Sequence, residues 1–197
     1  MKARAVCAGF AAAFVAASAA GAGMTSQWTG AGNGCWTNAA NWTAGVPGQY
    51  VAPDGSAAGY EGCTAVFSSV AQGSATTINL DGLVGIRNIT ITGADAPLYT
   101  FGTKSAQNLP MEGWGGKFLV EESVANPPVF KGTLGLGLNV ETGMDVYIEN
   151  NSAKPLALPN FGYFTKSVSG TPTVNLHFTG SGTVRFDGSA KENPVFT

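Results

Sequence analysis

Residues 28–48 read Trp28-Thr-Gly-Ala-Gly-Asn-Gly-Cys35-Trp36-Thr-Asn-Ala-Ala-Asn-Trp42-Thr-Ala-Gly-Val-Pro-Gly48, and this block leads to the run Thr64-Ala-Val-Phe67. Three tryptophans lie within fifteen residues, among glycine and asparagine, and no charged side chain follows Trp28 before Asp54. This composition is typical of a loop-rich segment rather than a helix or a long strand. It predicts a compact cap whose indole rings cover another part of the molecule.

From residue 76 onward the pattern changes to short runs rich in β-branched and aromatic residues, separated by Gly, Asn, Asp or Pro. In one run, Val174, Leu176 and Phe178 alternate with polar residues that include His177. No segment keeps a helical period for long, so the sequence predicts an all-β chain. The predicted strands are 76–80, 85–92, 98–101, 117–120, 129–131, 132–140, 145–148, 172–179 and 182–186.

The spacing of these strands, commonly about 8–12 residues, fits either a β-sandwich or a β-solenoid. Aliphatic residues alternate with small or polar partners, as stacked strands require. The segment Asn126-Pro-Pro-Val-Phe130 is echoed by Asn193-Pro-Val-Phe196, which suggests another unit beginning where the sequence stops. We therefore predict a solenoid, with a β-sandwich as the alternative.

Residues 1–22 have the features of a cleaved secretion signal. Lys2 and Arg4 precede an apolar stretch from Val6 to Ala20, and small residues then provide cleavage sites at 17–19 or 20–22. A retained membrane anchor is the alternative, but the apolar stretch is short and consists mostly of alanine. We expect an exported protein, extracellular or on the outer-membrane surface, with the periplasm as the alternative location.

Charge is sparse, at 11% Asp, Glu, Lys and Arg, compared with about 25% in ordinary soluble domains. Without Lys2 and Arg4, eight positive residues face 12 negative ones, a net charge of −4. Because no basic patch is available to neutralise phosphates, we expect no nucleic-acid partner.

Two cysteines, Cys35 and Cys63, follow the predicted signal. An even pair in an exported protein predicts a disulfide, which would stabilise the cap by roughly 3–4 kcal/mol in the chain-entropy model. Two thiols or half of a metal site are the alternatives, although no further Cys or His lies nearby to complete a metal site.

The order of these motifs resembles the start of bacterial proteins with autotransporter-associated β-strand repeats. The resemblance rests on Trp28-Thr-Gly, Asn38-Ala-Ala-Asn-Trp42, Pro47-Gly48 and Thr64-Ala-Val-Phe67. It is closest over residues 28–92 and looser to residue 197. Cys63 stands where the family has aspartate, and an insertion at 51–60 follows Pro47-Gly48.

This resemblance implies a right-handed parallel β-helix that belongs to a cell-surface or secreted passenger of a Gram-negative bacterium. Its role would be structural or adhesive, with no catalytic site and no cofactor. The expected organisation is a signal peptide at 1–22, a Trp/Gly-rich cap at 23–75 and β-solenoid turns at 76–197. Glycans or other copies of the chain are the expected partners, and any membrane attachment would need an anchor outside this chain.

Candidate catalytic residues are few. His177 is the only histidine and lies in a predicted strand, where a solvent-facing role is expected. Glu121 and Glu122 are adjacent and would point to opposite faces of a strand. Asp95 and Asp145 are among the aspartates that adjoin glycine or strand ends, where turn aspartates belong. No metal site is expected, and a carbohydrate-active β-helix enzyme or a carbohydrate-binding β-sandwich remains an alternative.

The tryptophans have two interpretations, because an indole ring can either fill a core or stack on a sugar. The first three are expected to close the end of the solenoid. Trp114 lies in Gly113-Trp-Gly-Gly116, a predicted loop, and is the candidate for sugar stacking.

Overall fold

The computed structural model describes residues 23–51, 57–59, 62–80, 82–112, 115–138, 143–159, 161–163 and 174–186. The predicted signal peptide at 1–22, the sugar-stacking candidate Trp114 and the echoed motif at 193–196 lie outside these ranges.

Short strands and one 3-10 helix, Ala39–Asn41, make up the described regular structure. In chain order the strands are β1 (Thr25–Gln27), β2 (Gln49–Val51), β3 (Ala57–Gly59), β4 (Thr64–Phe67), β5 (Thr77–Ile78), β6 (Leu83–Gly85), β7 (Asn88–Ile91), β8 (Thr100–Phe101), β9 (Asn108–Glu112), β10 (Lys117–Val120), β11 (Val129–Phe130), β12 (Thr133–Leu138), β13 (Met144–Asn150), β14 (Leu156–Leu158), β15 (Phe161–Tyr163), β16 (Val174–Thr179) and β17 (Val184–Phe186).

The largest sheet has six strands in the order β1-β4-β7-β10-β13-β16, and each neighbouring pair is parallel. The register is continuous along all six strands, and Thr25 of β1 is the register partner of Thr64. Thr64, Asn88, Lys117, Tyr147 and His177 occupy successive positions in one row across the sheet. We call this row the central outward row.

Two three-stranded sheets, β11-β8-β5 and β15-β12-β9, and the pair β14-β17 are also parallel. In these sheets and from β4 onward in the largest one, each strand pairs with the strand three elements along the chain. A sheet of β3-β2-β6 is antiparallel and includes part of the predicted insertion. The prediction of an all-β chain is confirmed, and most of its described strand pairs are parallel.

The core lies behind the six-stranded sheet, where alternate residues of each strand point inward. Ala65, Ile89, Phe118 and Ile148 are in register on successive strands, and all four are buried. The strict alternation in β4, β7 and β10 explains this, because successive side chains of a strand point to opposite faces. Burying each large apolar side chain contributes about 1.5–3 kcal/mol.

Burial decreases at β16, the last strand of this sheet. Phe178 is in register with Ile148, yet its side chain is 36% exposed whereas Ile148 is 1% exposed. The Phe178 ring still packs edge-on against Phe186 of β17, with ring centroids 5.2 Å apart.

The predicted disulfide between Cys35 and Cys63 is not formed, because Cys63 carries a thiol. Both side chains are buried, but they belong to different parts of the fold. Cys35 forms a parallel bridge with Asn79, next to β5, whereas Cys63 directly precedes β4 in the six-stranded sheet. Burial raises the pKa of the Cys63 thiol, against the opposing effect of backbone hydrogen bonds with Gly48 and Met24.

Candidate functional site

The tryptophan cluster is part of the core and has no exposed ring face. Trp28 and Trp36 are completely buried and Trp42 is 6% exposed. Trp42 packs edge-on against the other two, with ring centroids 5.0 and 4.9 Å away, and all three surround Phe67. These rings therefore pack around Phe67 of the six-stranded sheet, and their burial prevents them from stacking on a ligand.

Each indole N–H in the cluster donates to a backbone carbonyl. The acceptors are Ala75 for Trp28 at 2.8 Å, Pro47 for Trp36 at 2.8 Å and Trp36 itself for Trp42 at 2.7 Å. A buried indole requires such a partner, so the three hydrogen bonds fix the loops around the rings. The cluster is an ordered cap.

The asparagine and glycine residues near the tryptophans shape the loops that hold the three rings. Asn41 is buried; its side chain accepts a hydrogen bond from the Gly32 N–H at 2.6 Å and donates to the Cys35 carbonyl at 2.9 Å. Gly30 has φ +62°, and a Cβ there would lie 2.6 Å from the Ala75 carbonyl oxygen. Glycine is therefore required beside Trp28.

The carboxylates singled out in the sequence are not brought together as a catalytic pair. Glu121 and Glu122 follow β10 in a turn rather than a strand, and Glu121 accepts a hydrogen bond from the Thr92 hydroxyl. Asp95 lies in an exposed turn, as predicted. Asp145 does not, because it lies within β13 on the outward face of the six-stranded sheet.

Polar and aromatic residues gather on this outward face across β10, β13 and β16. His177 stacks on Tyr147, with ring centroids 4.6 Å apart and planes inclined by 14°. The solvent-facing position predicted for His177 is confirmed, since its side chain is 41% exposed. The stacking partner was not predicted.

An ion pair joins the same two strands. The Nε2 atom of His177 lies 2.7 Å from Oδ1 of Asp145. Hydrogen bonds with His177 and then with Asn175, the register neighbour of Asp145, hold the pKa of Asp145 below its ordinary value. The carboxylate therefore remains ionised and available as an acceptor well into the acidic range.

A second ion pair joins β10 to β13. Lys117 Nζ lies 2.8 Å from Glu149 Oε2, with 42% and 24% of the two side chains exposed. Hydrogen bonds from Lys117 and then from Asn151 hold the pKa of Glu149 below its ordinary value. We call Lys117, Asp145, Tyr147, Glu149, Asn175 and His177 together the outward cluster.

The spacing within the outward cluster decides what its carboxylates can do. Asp145 and Glu149 are four residues apart on one strand, so their Cα atoms are about 13 Å apart. Glycosidases hold their two carboxyl groups about 5–9.5 Å apart. The two carboxylates therefore suit separate hydrogen-bonding positions along an extended surface better than a shared hydrolytic site.

A further carboxylate, Glu112, is buried away from this surface. It accepts hydrogen bonds from the Gly62 N–H at 3.0 and 3.3 Å, and Arg87 Nε lies 4.0 Å from it. Glu112 ties the end of the insertion to β9. In the described ranges, no group of three or more His, Cys, Asp or Glu residues is placed to hold a metal ion.

No helix in the part of the chain that the structure describes is both long and apolar enough to span a membrane. No protein-family model, curated protein or solved structure matches the chain. Function is therefore inferred from the residues themselves.

Proposed function

We propose that the protein is an exported, non-enzymatic surface module in which successive strands form the turns of a right-handed parallel β-helix. Its role is structural and adhesive, because the stacked turns present outward side chains in long rows. The resemblance to passengers with autotransporter-associated repeats supports this proposal through the motif residues at 28–92.

One observation carries the architectural part of the proposal. From β4 onward, successive residues of the central outward row are separated by 24, 29, 30 and 30 positions in the sequence. The step before them, from Thr25 of β1 to Thr64, is 39 positions long and contains the tryptophan cluster and the insertion. A near-constant repeat with parallel, in-register pairing is what a chain that winds once per repeat would give. A β-sandwich is built from antiparallel sheets, so this pairing argues against that alternative.

The cap has a place in the same proposal. A solenoid exposes a core cross-section at its first turn, and terminal units must cover it. The cluster of Trp28, Trp36 and Trp42 packs on Phe67 in β4, next to the first strand of the sheet. The motif that carries the family resemblance therefore supplies the cover.

A carbohydrate-active enzyme is the second candidate, favoured by the ionisable residues of the outward cluster. The separation of Asp145 and Glu149 argues against hydrolysis by this pair. Binding without catalysis accounts for the same residues and needs no further group.

Export is tested by expressing the full chain, with a tag after Thr197, in a Gram-negative host. We expect a product shortened by cleavage between residues 17 and 23 and recovered outside the cytoplasm. A product that retains the full mass of the 20.0 kDa chain plus its tag and stays in the cytoplasm would refute the proposal. A matched variant with Lys2 and Arg4 replaced by glutamate should remain uncleaved, which shows that processing depends on the proposed signal.

A further inference from the structure

The central outward row changes its chemistry along the six-stranded sheet. Its first two residues, Thr64 and Asn88, have short polar side chains. The Asn88 amide donates a hydrogen bond to the Thr64 hydroxyl oxygen at 3.2 Å. The next three are a cation and two aromatic rings: Lys117, Tyr147 and His177. At its β4 end, this face of the sheet carries short polar side chains, as a solvated surface usually does. The outward cluster differs in having charged and aromatic side chains.

The rows of side chains that flank the central outward row change their chemistry at the same strands. On one side Leu119 is followed by Glu149, and on the other Asp145 is followed by Asn175. In a chain with 11% charged residues, two ion pairs and the only histidine thus lie on three adjacent strands. Strands are about 4.8 Å apart and alternate residues about 6.6 Å apart, so the cluster covers about 10 by 13 Å.

The charges of the outward cluster limit the classes of ligand that it can bind. Two carboxylates, Asp145 and Glu149, lie beside one lysine, Lys117, so the surface has no excess of positive charge to attract a polyanion. It is also not an apolar patch of the kind that binds lipid or a hydrophobic protein surface. The outward cluster instead presents a dense set of exposed hydrogen-bonding groups around aromatic rings.

The ring of His177 offers a stacking surface at the edge of the sheet. One face of the ring lies on Tyr147, and its strand, β16, is the last of the six. Asn175 and Thr179 flank it on the same strand, and both are exposed. A flat ligand placed against the other face would continue the stack and meet an amide and a hydroxyl at its edges.

We propose that the outward cluster binds a neutral oligosaccharide. The pyranose ring has an apolar C–H face for the aromatic pair and hydroxyls at its rim for Asp145, Asn175, Lys117 and Glu149. This inference rests on the proposed adhesive function, for which it names the ligand class.

A purely structural role for the same residues makes a different prediction. Stacked rings and cross-strand ion pairs stabilise neighbouring strands by about 0.2–1 kcal/mol each, whether or not a ligand binds. The substitutions Asn175→Ala and Tyr147→Phe distinguish saccharide binding from a purely structural role. Both variants retain the ring stack while removing a hydrogen-bonding group from the surface.

The test is isothermal titration calorimetry of the purified protein with cellohexaose, maltohexaose and mannohexaose, and with hexagalacturonate as an acidic probe. We expect a neutral hexasaccharide to bind with a Kd of about 1 mM or tighter, as a shallow exposed site allows. Asn175→Ala and His177→Ala should weaken binding at least tenfold. Thr90→Ala, on the same face but at β7, should leave it unchanged.

Thermal unfolding of each variant is measured in parallel. Weaker binding by Asn175→Ala at an unchanged Tm supports the inference. It is overturned if none of the neutral probes binds, if hexagalacturonate binds in preference, or if Asn175→Ala and His177→Ala bind as the wild type does. Those results leave the export test untouched, so failure of the saccharide site and failure of the proposed function are distinguishable.

Discussion

His177 in β16 stacks on Tyr147 in β13 and also lies 2.7 Å from Asp145 on that same strand. One side chain thus joins the last strand of the six-stranded sheet to its neighbour through two contacts. On the inner face of the same strand, Phe178 is 36% exposed and packs against Phe186, so β16 has side-chain contacts on both faces.

The Asp145–His177 contact predicts a dependence of stability on pH. The folded-state pKa of Asp145 is lowered, so its contribution is present above the unfolded-state pKa of about 4 and is lost as pH falls through the folded value. We expect the Tm difference between wild type and Asp145→Asn to shrink as the pH falls below about 4.

Thermal scans from pH 2.5 to 7 check this expectation. Asp95→Asn, in an exposed turn, is the control for general charge effects. A Tm difference between wild type and Asp145→Asn that stays constant down to pH 2.5 would show that the ion pair does not act on stability.

The tryptophan cap predicts a large effect of a single substitution. Trp28→Ala removes a completely buried ring and its hydrogen bond to Ala75, so we expect a loss of about 3–5 kcal/mol in the free energy of unfolding. Urea denaturation measures the loss. Leu98→Ala, at a side chain 49% exposed, should cost less than about 1 kcal/mol. Similar costs for both substitutions would mean that the cap does not contribute to the core.

A buried amide closes the turn after β13. The Asn150 side chain donates to the carbonyls of Lys154 and Thr183 at 3.0 and 2.8 Å and accepts from the Ser152 N–H at 3.2 Å. Asn150→Ala leaves these groups without a partner and should cost about 2–3 kcal/mol in urea denaturation.

Asn126→Ala is the matched control for this substitution, because Asn126 is exposed and accepts one hydrogen bond, from Lys154 Nζ at 2.7 Å. It should cost less than about 1 kcal/mol. A loss below 1 kcal/mol for Asn150→Ala would indicate that water replaces the amide.

The buried thiol of Cys63 is expected to be protected from chemical modification in the folded protein. It is completely buried, and burial raises its pKa, so the nucleophilic thiolate is scarce in the folded protein. Maleimide modification of Cys63, followed by peptide mass spectrometry, should be slow in buffer and rapid in 6 M guanidinium chloride. Rapid modification under native conditions would place the thiol at the surface.

Alternating patterns made much of the fold predictable from the sequence. The strands β7, β10 and β16 each combine alternation with β-branched or aromatic residues. The strand β9 was missed because Pro110 and Glu112 interrupt its pattern, and β14 was missed because it has only three residues. In these strands the sheet neighbours override weak local preference.

The candidate site was harder to predict, because it depends on register. Asp145 was placed at the end of the predicted strand 145–148 and interpreted as a turn aspartate, and His177 was placed on the outward face without a partner. Their contact requires β13 and β16 to align residue for residue, and this alignment depends on the length of chain between them. The Cys35–Cys63 prediction was wrong for the same reason, since an even cysteine count says nothing about which residues meet.

The alignment of the outward rows is the central claim, and a distance measurement tests it most directly. Val66 and Thr179 lie in one row, four strand-to-strand steps apart, so their backbones should be about 19 Å apart. Spin labels are attached to cysteines at these positions in a chain with Cys7, Cys35 and Cys63 replaced by alanine, whose circular dichroism matches the wild type. Pulsed electron resonance should give a single narrow distribution near 20 Å once label length is included. A broad distribution, or one centred beyond about 30 Å, would contradict the stacked parallel register.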